Sequence, residues 1–570
     1  MRPPTPLALE QIGSARNAFA NLEHWLYSHT SATHKLHAIE VEQERRGREV
    51  LRLMLQAHID SRGDGWVGDG LAVRLPGSSE EMAYRHKRLR SRRLVTVFGA
   101  VSITRMAYSS PGQNSIYPLD AVLGLPARSY SYEIQRRLVK AAVRGPFDEA
   151  LEELADAIGV HLAKRTAEQI VAEASVDFDC FYQERSLCLA PDSGSLLIAS
   201  VDGKGVPMVK SVSGERKVRL ARGEKRNKKR MSTVGAVFTQ KPNIRTPESV
   251  VESLFAESSM PHPKNRYHRP EQKRVWASLL LSKDAFIAQV QAEMRRRDPK
   301  HKKAWIVVTD GERALQRKVA ATFQGIELVL DLLHVLEKLW AVSYVFHPEG
   351  SPEAREFVKE RILRILQGDV SQVVKGLRQM ATKRKLKGQR RATVLAVAAY
   401  CCRNRARMRY NIYLRKGYPI ASGPVEGACK NLVKDRMERS GMRWTLPMAE
   451  AVLRLRAVYL SEHFEEYWPL LLARDSDTNF QAGDGHAKGI ENQSLFLNRL
   501  GPLVVLLEAP YPPIRGIRLN SVAFLEALRR ISALRSASVV RSKAMRALPG
   551  PPGDSARRPP KPTATPTTLD

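Results

Sequence analysis

Three acidic residues in similar surroundings could do chemistry together. Asp202 and Asp310 each end a short apolar run, "LLIASVD" and "AWIVVTD", and Glu426 opens a helical pattern, "SGPVEGACKNLVKD". Singly, each has a structural explanation: an Asp-Gly turn, a helix N-cap, and a capping box or an ion pair with Lys430. Together they have a functional explanation, because the carboxyl ends of strands in an open α/β sheet are where functional side chains converge.

Carboxylates gathered in one small volume repel one another unless divalent cations lie between them. Hard oxygen ligands suit Mg²⁺, with Mn²⁺ able to take its place. Two such ions held by Asp202, Asp310 and Glu426 would be equipped for phosphodiester chemistry. The nearby motif "DLLH" adds Asp331 and His334. This pair is either an N-cap followed by a histidine one turn later, or a contact to the metal site, the scissile phosphate or flanking DNA.

The overall charge indicates the partner. The chain has 92 Lys and Arg against 59 Asp and Glu, a formal net charge of +33. Such a field attracts polyanions, so nucleic acid is the first candidate and an anionic membrane surface the second. No apolar run could span a bilayer and the start lacks the layout of a secretion signal, so we expect a cytoplasmic, nucleoid-associated protein without membrane contact. Five cysteines without a C-x-x-C pair predict reduced thiols.

The elements that must position the acidic residues are short strands. Besides the runs before Asp202 and Asp310, "MSTVGAVFT" and "IELVL" are rich in branched residues and predict further strands of a mixed α/β sheet. A loop, "ERKVRLARGEKRNKKR", holds nine basic and two acidic residues. It is either a solvated surface loop or a phosphate-contacting loop, and its charge density favours the second. Its candidate DNA contacts are Lys225, Arg226, Lys228, Lys229 and Arg230.

Helical patterns flank the predicted sheet. The N-terminal part combines a helix over about Leu36–His58 with a strand pair around Gly99, which predicts an α+β module. Two helices joined at Gly159 outline a helix-turn-helix, although a plain helical hairpin has the same pattern. Its candidate DNA-facing residues are His161, Lys164, Arg165 and Gln169.

The C-terminal half is predicted to be helical and then disordered. A wholly helical, basic block runs from about Val335 to Tyr413 and interrupts the α/β pattern. The helix of Glu426 should place Lys430 and Lys434 on the face of the glutamate, with Arg436 and Arg443 extending a positive surface along DNA. Periodicity ends near Ala473, and the last 22 residues contain seven prolines, so the tail should be disordered.

Four motifs together resemble a known family. The blocks "VDGKG", "VTDGERAL", "LDLLHVLEKLW" and "YPIASGPVEGACKNLVKDRMERSGMRW" are similar to successive blocks of bacterial insertion-sequence transposases of the Kra type. These belong to the DDE superfamily, which includes Mutator-like elements, and the similarity runs from about residue 44 to 468. The resemblance implies an RNase H-like catalytic domain with the acidic triad at Asp202, Asp310 and Glu426. Asp331 and His334 match the Asp-x-x-His motif of the superfamily.

The resemblance also implies an activity. Such an enzyme cuts the ends of its element with two Mg²⁺ ions and joins the freed 3′-hydroxyl to target DNA, as a homodimer or higher oligomer. The alternatives are an RNase H-fold nuclease that cuts without joining, and an inactive DNA-binding derivative. The expected regions are an N-terminal α+β module at 1–125, a helix-turn-helix-like region at 126–190, the catalytic domain at 191–340 and 416–472, a helical insertion at 341–415 and an extension at 473–570.

Overall fold

The computed structural model describes residues 12–74, 81–185, 194–209, 229–256 and 269–481. The expectations for the tail beyond residue 481 and for Lys225, Arg226 and Lys228 lie outside these residues. Among the helices that are described, none combines the length and apolar character that crossing a bilayer requires.

The N-terminal module has the predicted helix and strand pair. Its elements are α1 (Gly13–Leu26), α2 (His29–Ala32), α3 (Leu36–Ser61), β1 (Leu71–Arg74), β2 (Glu81–Tyr84), β3 (His86–Thr96), β4 (Gly99–Ser109) and α4 (Pro118–Leu123). Strands β3 and β4 form an antiparallel hairpin whose last pair is Thr96 and Gly99. Gly99 has φ +127°, a conformation that side chains disfavour. A small core including Ile59 and Ile103 joins α3 to the hairpin.

Four helices follow: α5 (Tyr132–Arg144), α6 (Phe147–Ile158), α7 (Lys164–Ala174) and α8 (Phe178–Glu184). The two predicted helices are therefore present as α6 and α7, and they are joined by Gly159 in the left-handed conformation. Apolar residues of α5 to α8 pack into the same core as one face of the central sheet. This helical region therefore shares its core with the sheet and is not a separately packed domain.

The central sheet is mixed. Its strands are β5 (Leu196–Val206), β6 (Arg230–Gln240), β7 (Glu271–Ser278), β8 (Ala304–Thr309) and β9 (Glu327–Leu330), with α9 (Pro247–Phe255), α10 (Lys283–Arg297) and α11 (Arg313–Thr322) between them. The strand order is β7-β6-β5-β8-β9. Strand β6 runs antiparallel to β5 and β7, whereas β8 and β9 run parallel to β5. The four predicted strands are confirmed, and β7 was not predicted.

The predicted helical block is also confirmed, as α12 (Leu332–Phe346), α13 (Pro352–Gln367), α14 (Val370–Lys383), α15 (Gly388–Asn404) and α16 (Tyr410–Arg415). The chain then forms α17 (Gly423–Ala428), a π-helical segment (Cys429–Lys434), α18 (Asp435–Met437), α19 (Leu446–Leu460) and α20 (Phe464–Gln481). The expected end of order near Ala473 falls inside α20. Arg474 of this helix pairs with Asp177 at 2.9 Å, so the helix is held beyond that point.

Two cores cover the two faces of the sheet. Leu197, Ala199 and Val201 of β5 belong to the core shared with α5 and α19, whereas Leu196 and Ile198 belong to the core of the helical block. This alternation is the period of two expected for a strand. By the same period, Asp202 lies on the face of β5 that carries Leu196 and Ile198.

Candidate functional site

Asp202 and Asp310 each follow the last paired residue of two adjacent parallel strands. In the β5/β8 ladder Val201 pairs with Thr309, so the two aspartates occupy the next position on their chains. Neighbouring strands are about 4.8 Å apart. The sheet therefore brings together two residues that are distant in sequence.

The Asp-Gly pair at Asp202 is not a turn. Strand β5 continues through Asp202 and Gly203 to Val206, and Asp202 pairs with Val234 of β6. The Asp-Gly turn is therefore the wrong explanation for Asp202, because β6 supplies a partner strand along this whole stretch. Oδ1 of Asp202 accepts a hydrogen bond from the Gly203 N–H at 2.6 Å. The aspartate lies where β8 ends while β5 continues.

Asp310 occupies the short loop between β8 and α11. The N-cap position of α11 belongs to Glu312, so the N-cap explanation for Asp310 is wrong. Oδ1 of Asp310 instead accepts a hydrogen bond from the Glu312 N–H at 3.1 Å. The next residue, Gly311, touches the helical block: a Cβ there would lie 2.1 Å from the Tyr400 ring. Only glycine fits this close approach, which ties the Asp310 loop to α15.

Asp331 joins the starts of two helices. It is fully buried, and its Oδ1 caps α12 by accepting the Leu333 N–H at 2.8 Å. Its Oδ2 accepts the Ser422 N–H at 3.2 Å and also the Ser422 hydroxyl. Ser422 is the N-cap residue of α17. The N-cap alternative for Asp331 is therefore realised, and the same carboxylate fixes the start of the helix that carries Glu426.

Glu426 and His334 complete the cluster. Asp331, His334 and Glu426 each offer a ligand atom, and these atoms lie within 4.8 Å of one another. With Ser422 as N-cap, Glu426 is one residue past the capping-box position, and no side-chain hydrogen bond caps α17. Within the described residues, no ion pair joins Glu426 to Lys430. Neither structural explanation for Glu426 is therefore realised.

The electrostatics link all five groups. Burial raises the pKa of Asp310, and the charge of Asp202 raises it further. Burial also raises the pKa of Glu426, with added contributions from Asp331 and Asp202. His334 acts in the opposite direction on both carboxyls. The site thus accumulates negative charge that a cation would offset.

A divalent cation fits this donor set. Asp331, His334 and Glu426 supply two carboxylates and an imidazole, a combination that transition-metal ions accept and that Mn²⁺ tolerates. Asp202 and Asp310 adjoin the group and add oxygen donors suited to Mg²⁺. The grouping differs from the predicted triad in one respect. Of the described side chains, the three that converge most closely include Asp331 and His334 rather than the two strand-end aspartates.

Cys429 is a neighbour of the site that sequence reasoning missed. Its Sγ lies 3.2 Å from Oδ2 of Asp202, so the thiol can donate a hydrogen bond to the carboxylate. Burial raises the pKa of the thiol, which keeps it protonated, and the neighbouring Asp202 charge adds to this. Cys429 follows Glu426 by three residues and begins the π-helical segment. That spacing on the helix of Glu426 was the available signal.

One predicted DNA contact on this helix is wrong. Lys430, Lys434 and Arg443 are exposed, as expected. Arg436, by contrast, is fully buried, and its Nε donates to the Ala142 carbonyl at 2.9 Å. Burial lowers its pKa to about 10. At about 100° per residue, Arg436 lies about 200° around the helix from Lys434, so the helical period itself turns it away from the face of the two lysines.

The other predicted DNA contacts that are described lie on the surface. His161, Arg165 and Gln169 are exposed. Lys164 pairs with Asp148 at 2.7 Å. Lys229 pairs with Glu438 at 2.5 Å, and Nε of the exposed Arg230 donates to the Leu279 carbonyl at 3.1 Å. Lys164 and Lys229 would have to exchange a carboxylate for a phosphate to contact DNA.

One part of the chain matches a known protein family. Residues 75–235 match an uncharacterised protein family, UPF0236. The matched segment contains β5 with Asp202 and ends within β6, before the other acidic residues of the cluster. No curated protein matches the chain.

Proposed function

We propose that this protein is a DNA transposase of the Kra type. The observation that supports the proposal best is the meeting of four carboxylates and a histidine at the carboxyl edge of the sheet: Asp202, Asp310, Asp331, His334 and Glu426. These residues come from four separate chain segments. Local capping or turn formation does not explain why all of them should converge.

The sheet topology supports an RNase H-like catalytic domain. Three strands form an antiparallel meander, β5-β6-β7, and two further strands join parallel on the other side of β5. This is the strand arrangement of RNase H-like domains. The helical block between Asp310 and Glu426 corresponds to the insertion that the resemblance implies.

The proposed roles follow from position. Asp202, Asp310 and Glu426 hold two Mg²⁺ ions, with Mn²⁺ able to replace them, and Asp331 and His334 support or share the site. When bound, two such ions activate an attacking oxygen and stabilise the leaving oxygen of a phosphodiester. The thiol of Cys429 orients Asp202. Exposed basic side chains hold the DNA backbone, and two DNA ends are held by a homodimer or a higher oligomer at the nucleoid.

The test is incubation of the full chain with its own flanking genomic DNA and Mg²⁺. We expect cut ends and then joined products. The isosteric changes Asp202→Asn and Glu426→Gln should each lower the cleavage rate on the order of a hundredfold or more while DNA binding persists. Cutting without joining would indicate the nuclease. Binding without metal-dependent cutting would indicate the inactive derivative, and normal cleavage by Asp202→Asn would refute the assigned site.

A further inference from the structure

The second half of the helical block has an extreme charge composition. Residues 370–425 contain fourteen Lys and Arg and not one Asp or Glu. The structure describes this whole stretch, which forms α14, α15 and α16 and the segments between and after them. A solvated helical surface usually mixes both signs of charge along its faces. This surface is therefore built to meet an anionic partner.

Among the described residues, carboxylates neutralise little of this surface. Arg409 pairs with Glu327 at 2.5 Å. Within the described part of the chain, no other cation of residues 370–425 forms an ion pair with a carboxylate. In α13, by contrast, Arg361 and Arg364 both pair with Glu360. The positive charge of α14 and α15 remains available.

A cleft concentrates part of that charge. It has a volume of about 320 Å³ and lies between α14 and the end of α15. Three cations line it, Lys375, Arg378 and Arg405, and no acidic residue does. Nη1 of Arg405 donates to the Ser371 hydroxyl at 3.2 Å, which orients the guanidinium at the rim. Several donors around a small concave space suit the oxygens of a phosphate group.

The cleft opens away from the acidic cluster. On α15, Tyr400 is buried against Gly311, beside Asp310, whereas Cys402 two residues later is exposed and lines the cleft. Two residues along an α-helix turn the side chain by about 200°. An anion in the cleft is therefore not the phosphate at the acidic cluster.

We propose that the cleft and the cationic surface around it form a second binding site for the phosphate backbone of duplex DNA. The choice of DNA rests on the proposed function, whereas the preference for a phosphodiester rests on the charge and shape of the cleft. Lys and Arg contacts to phosphates carry no base information, so the site holds DNA of any sequence. The protein then binds DNA phosphates at two separate places, on one duplex or on two.

The experiment compares two triple variants of the full chain. The cleft variant removes all three positive charges from the lining of the cleft: Lys375→Ser, Arg378→Ser and Arg405→Ser. The matched control, Lys241→Ser, Lys300→Ser and Lys302→Ser, removes the same charge from exposed positions just after β6 and just before β8, outside the cleft. Binding of a duplex of arbitrary sequence is measured against salt concentration. Each lost phosphate contact should lower the slope of log affinity against log salt by about 0.9, in the cleft variant only.

An exposed thiol in the cleft gives a second readout without mutation. Bound duplex should slow the alkylation of Cys402 by a maleimide several-fold. Cys180, on α8 outside the cleft, serves as the internal reference. Mass spectrometry of the labelled peptides gives both rates from one sample.

The outcomes separate this inference from the proposed function. Protection of Cys402 in the wild type and in Asp310→Asn, together with a reduced salt slope in the cleft variant, is the expected result. DNA cleavage with Cys402 unprotected and the slope unchanged would overturn the second site and leave the transposase proposal standing. Protection of Cys402 without any Mg²⁺-dependent cleavage would overturn the transposase proposal and leave the second site standing.

Discussion

Replacing Asp310 by asparagine should stabilise the protein when divalent cations are absent. The change keeps the side-chain shape and removes one charge beside Asp202. Neighbouring strands lie about 5 Å apart, and at an effective dielectric of about 20 two charges at that separation repel by about 3 kcal/mol. Both side chains are only partly buried and His334 opposes the repulsion, so solvent and the histidine reduce the gain to about 1 kcal/mol. We expect the melting temperature in a chelating buffer to rise by roughly 2 °C.

The stability gained by Asp310→Asn should depend on pH. Because burial and Asp202 raise the pKa of Asp310, the folded chain binds this proton more tightly than the unfolded chain. In chelator, the stabilising effect of that proton is present below the ordinary carboxyl pKa and is lost as the pH rises through the raised pKa. The advantage of Asp310→Asn should therefore grow with pH across this window. Thermal unfolding at a series of pH values measures it.

A matched aspartate provides the control. Burial alone would raise the pKa of Asp298, but hydrogen bonds from the N–H groups of Lys303 and Lys302 and from Trp305 hold it below its ordinary value. Asp298→Asn should therefore destabilise the protein. Added Mg²⁺ should stabilise the wild type and have little effect on Asp310→Asn, because a cation that binds only the folded state raises its stability. If Asp310→Asn lost stability in chelator as Asp298→Asn does, Asp310 would not be under repulsion and our account of the cluster would fail.

Three further changes test neighbouring features. Cys429→Ala removes a hydrogen-bond donor to Asp202 worth about 1 kcal/mol, so the cleavage rate should fall about fivefold, whereas Cys429→Ser should retain most of it. Gly311→Ala forces a methyl group into the Tyr400 ring and should lower the free energy of unfolding by about 1–3 kcal/mol, a loss that added Tyr400→Ala should partly recover. Burial lowers the pKa of His463 to about 4, so stability should decline as the pH falls from about 6.5 toward 4; in His463→Phe thermal unfolding should show a weaker decline.

Apolar strand runs were predictable because branched residues in short runs rarely serve another purpose. Strand β7 was missed because its first half, "EQKR", is charged. Arg274 of this strand is nevertheless buried and pairs with Glu293 at 2.6 Å. That partner lies on α10, and no local pattern reveals it. Burial of a charge is decided by tertiary neighbours, which single-sequence patterns do not contain.

The candidate site was also predicted only in part. The acidic residues stand out because they follow strands or open helices, and the structure brings them together. Their local geometry was predicted less well. The Asp-Gly pair at Asp202 has the composition of a turn, yet pairing with β6 keeps it extended. Arg436 is buried because it lies about 200° around the helix from Lys434, a period that the predicted positive surface did not take into account.

The buried link between Asp331 and Ser422 has a consequence for how the chain can be remodelled. The Leu332 N–H also donates to the Ile420 carbonyl at 2.9 Å, so the two ends of the helical block meet at one point. The block therefore leaves and rejoins the rest of the chain at one place, while its helices pack on one face of the sheet. Helices of another length could replace α13 to α16 without displacing Glu426, provided that they still cover the sheet face formed by Ile198 and Val308. We expect such a chimera to bind Mn²⁺ as the parent does, and titration calorimetry would detect a shifted Glu426 as weaker binding.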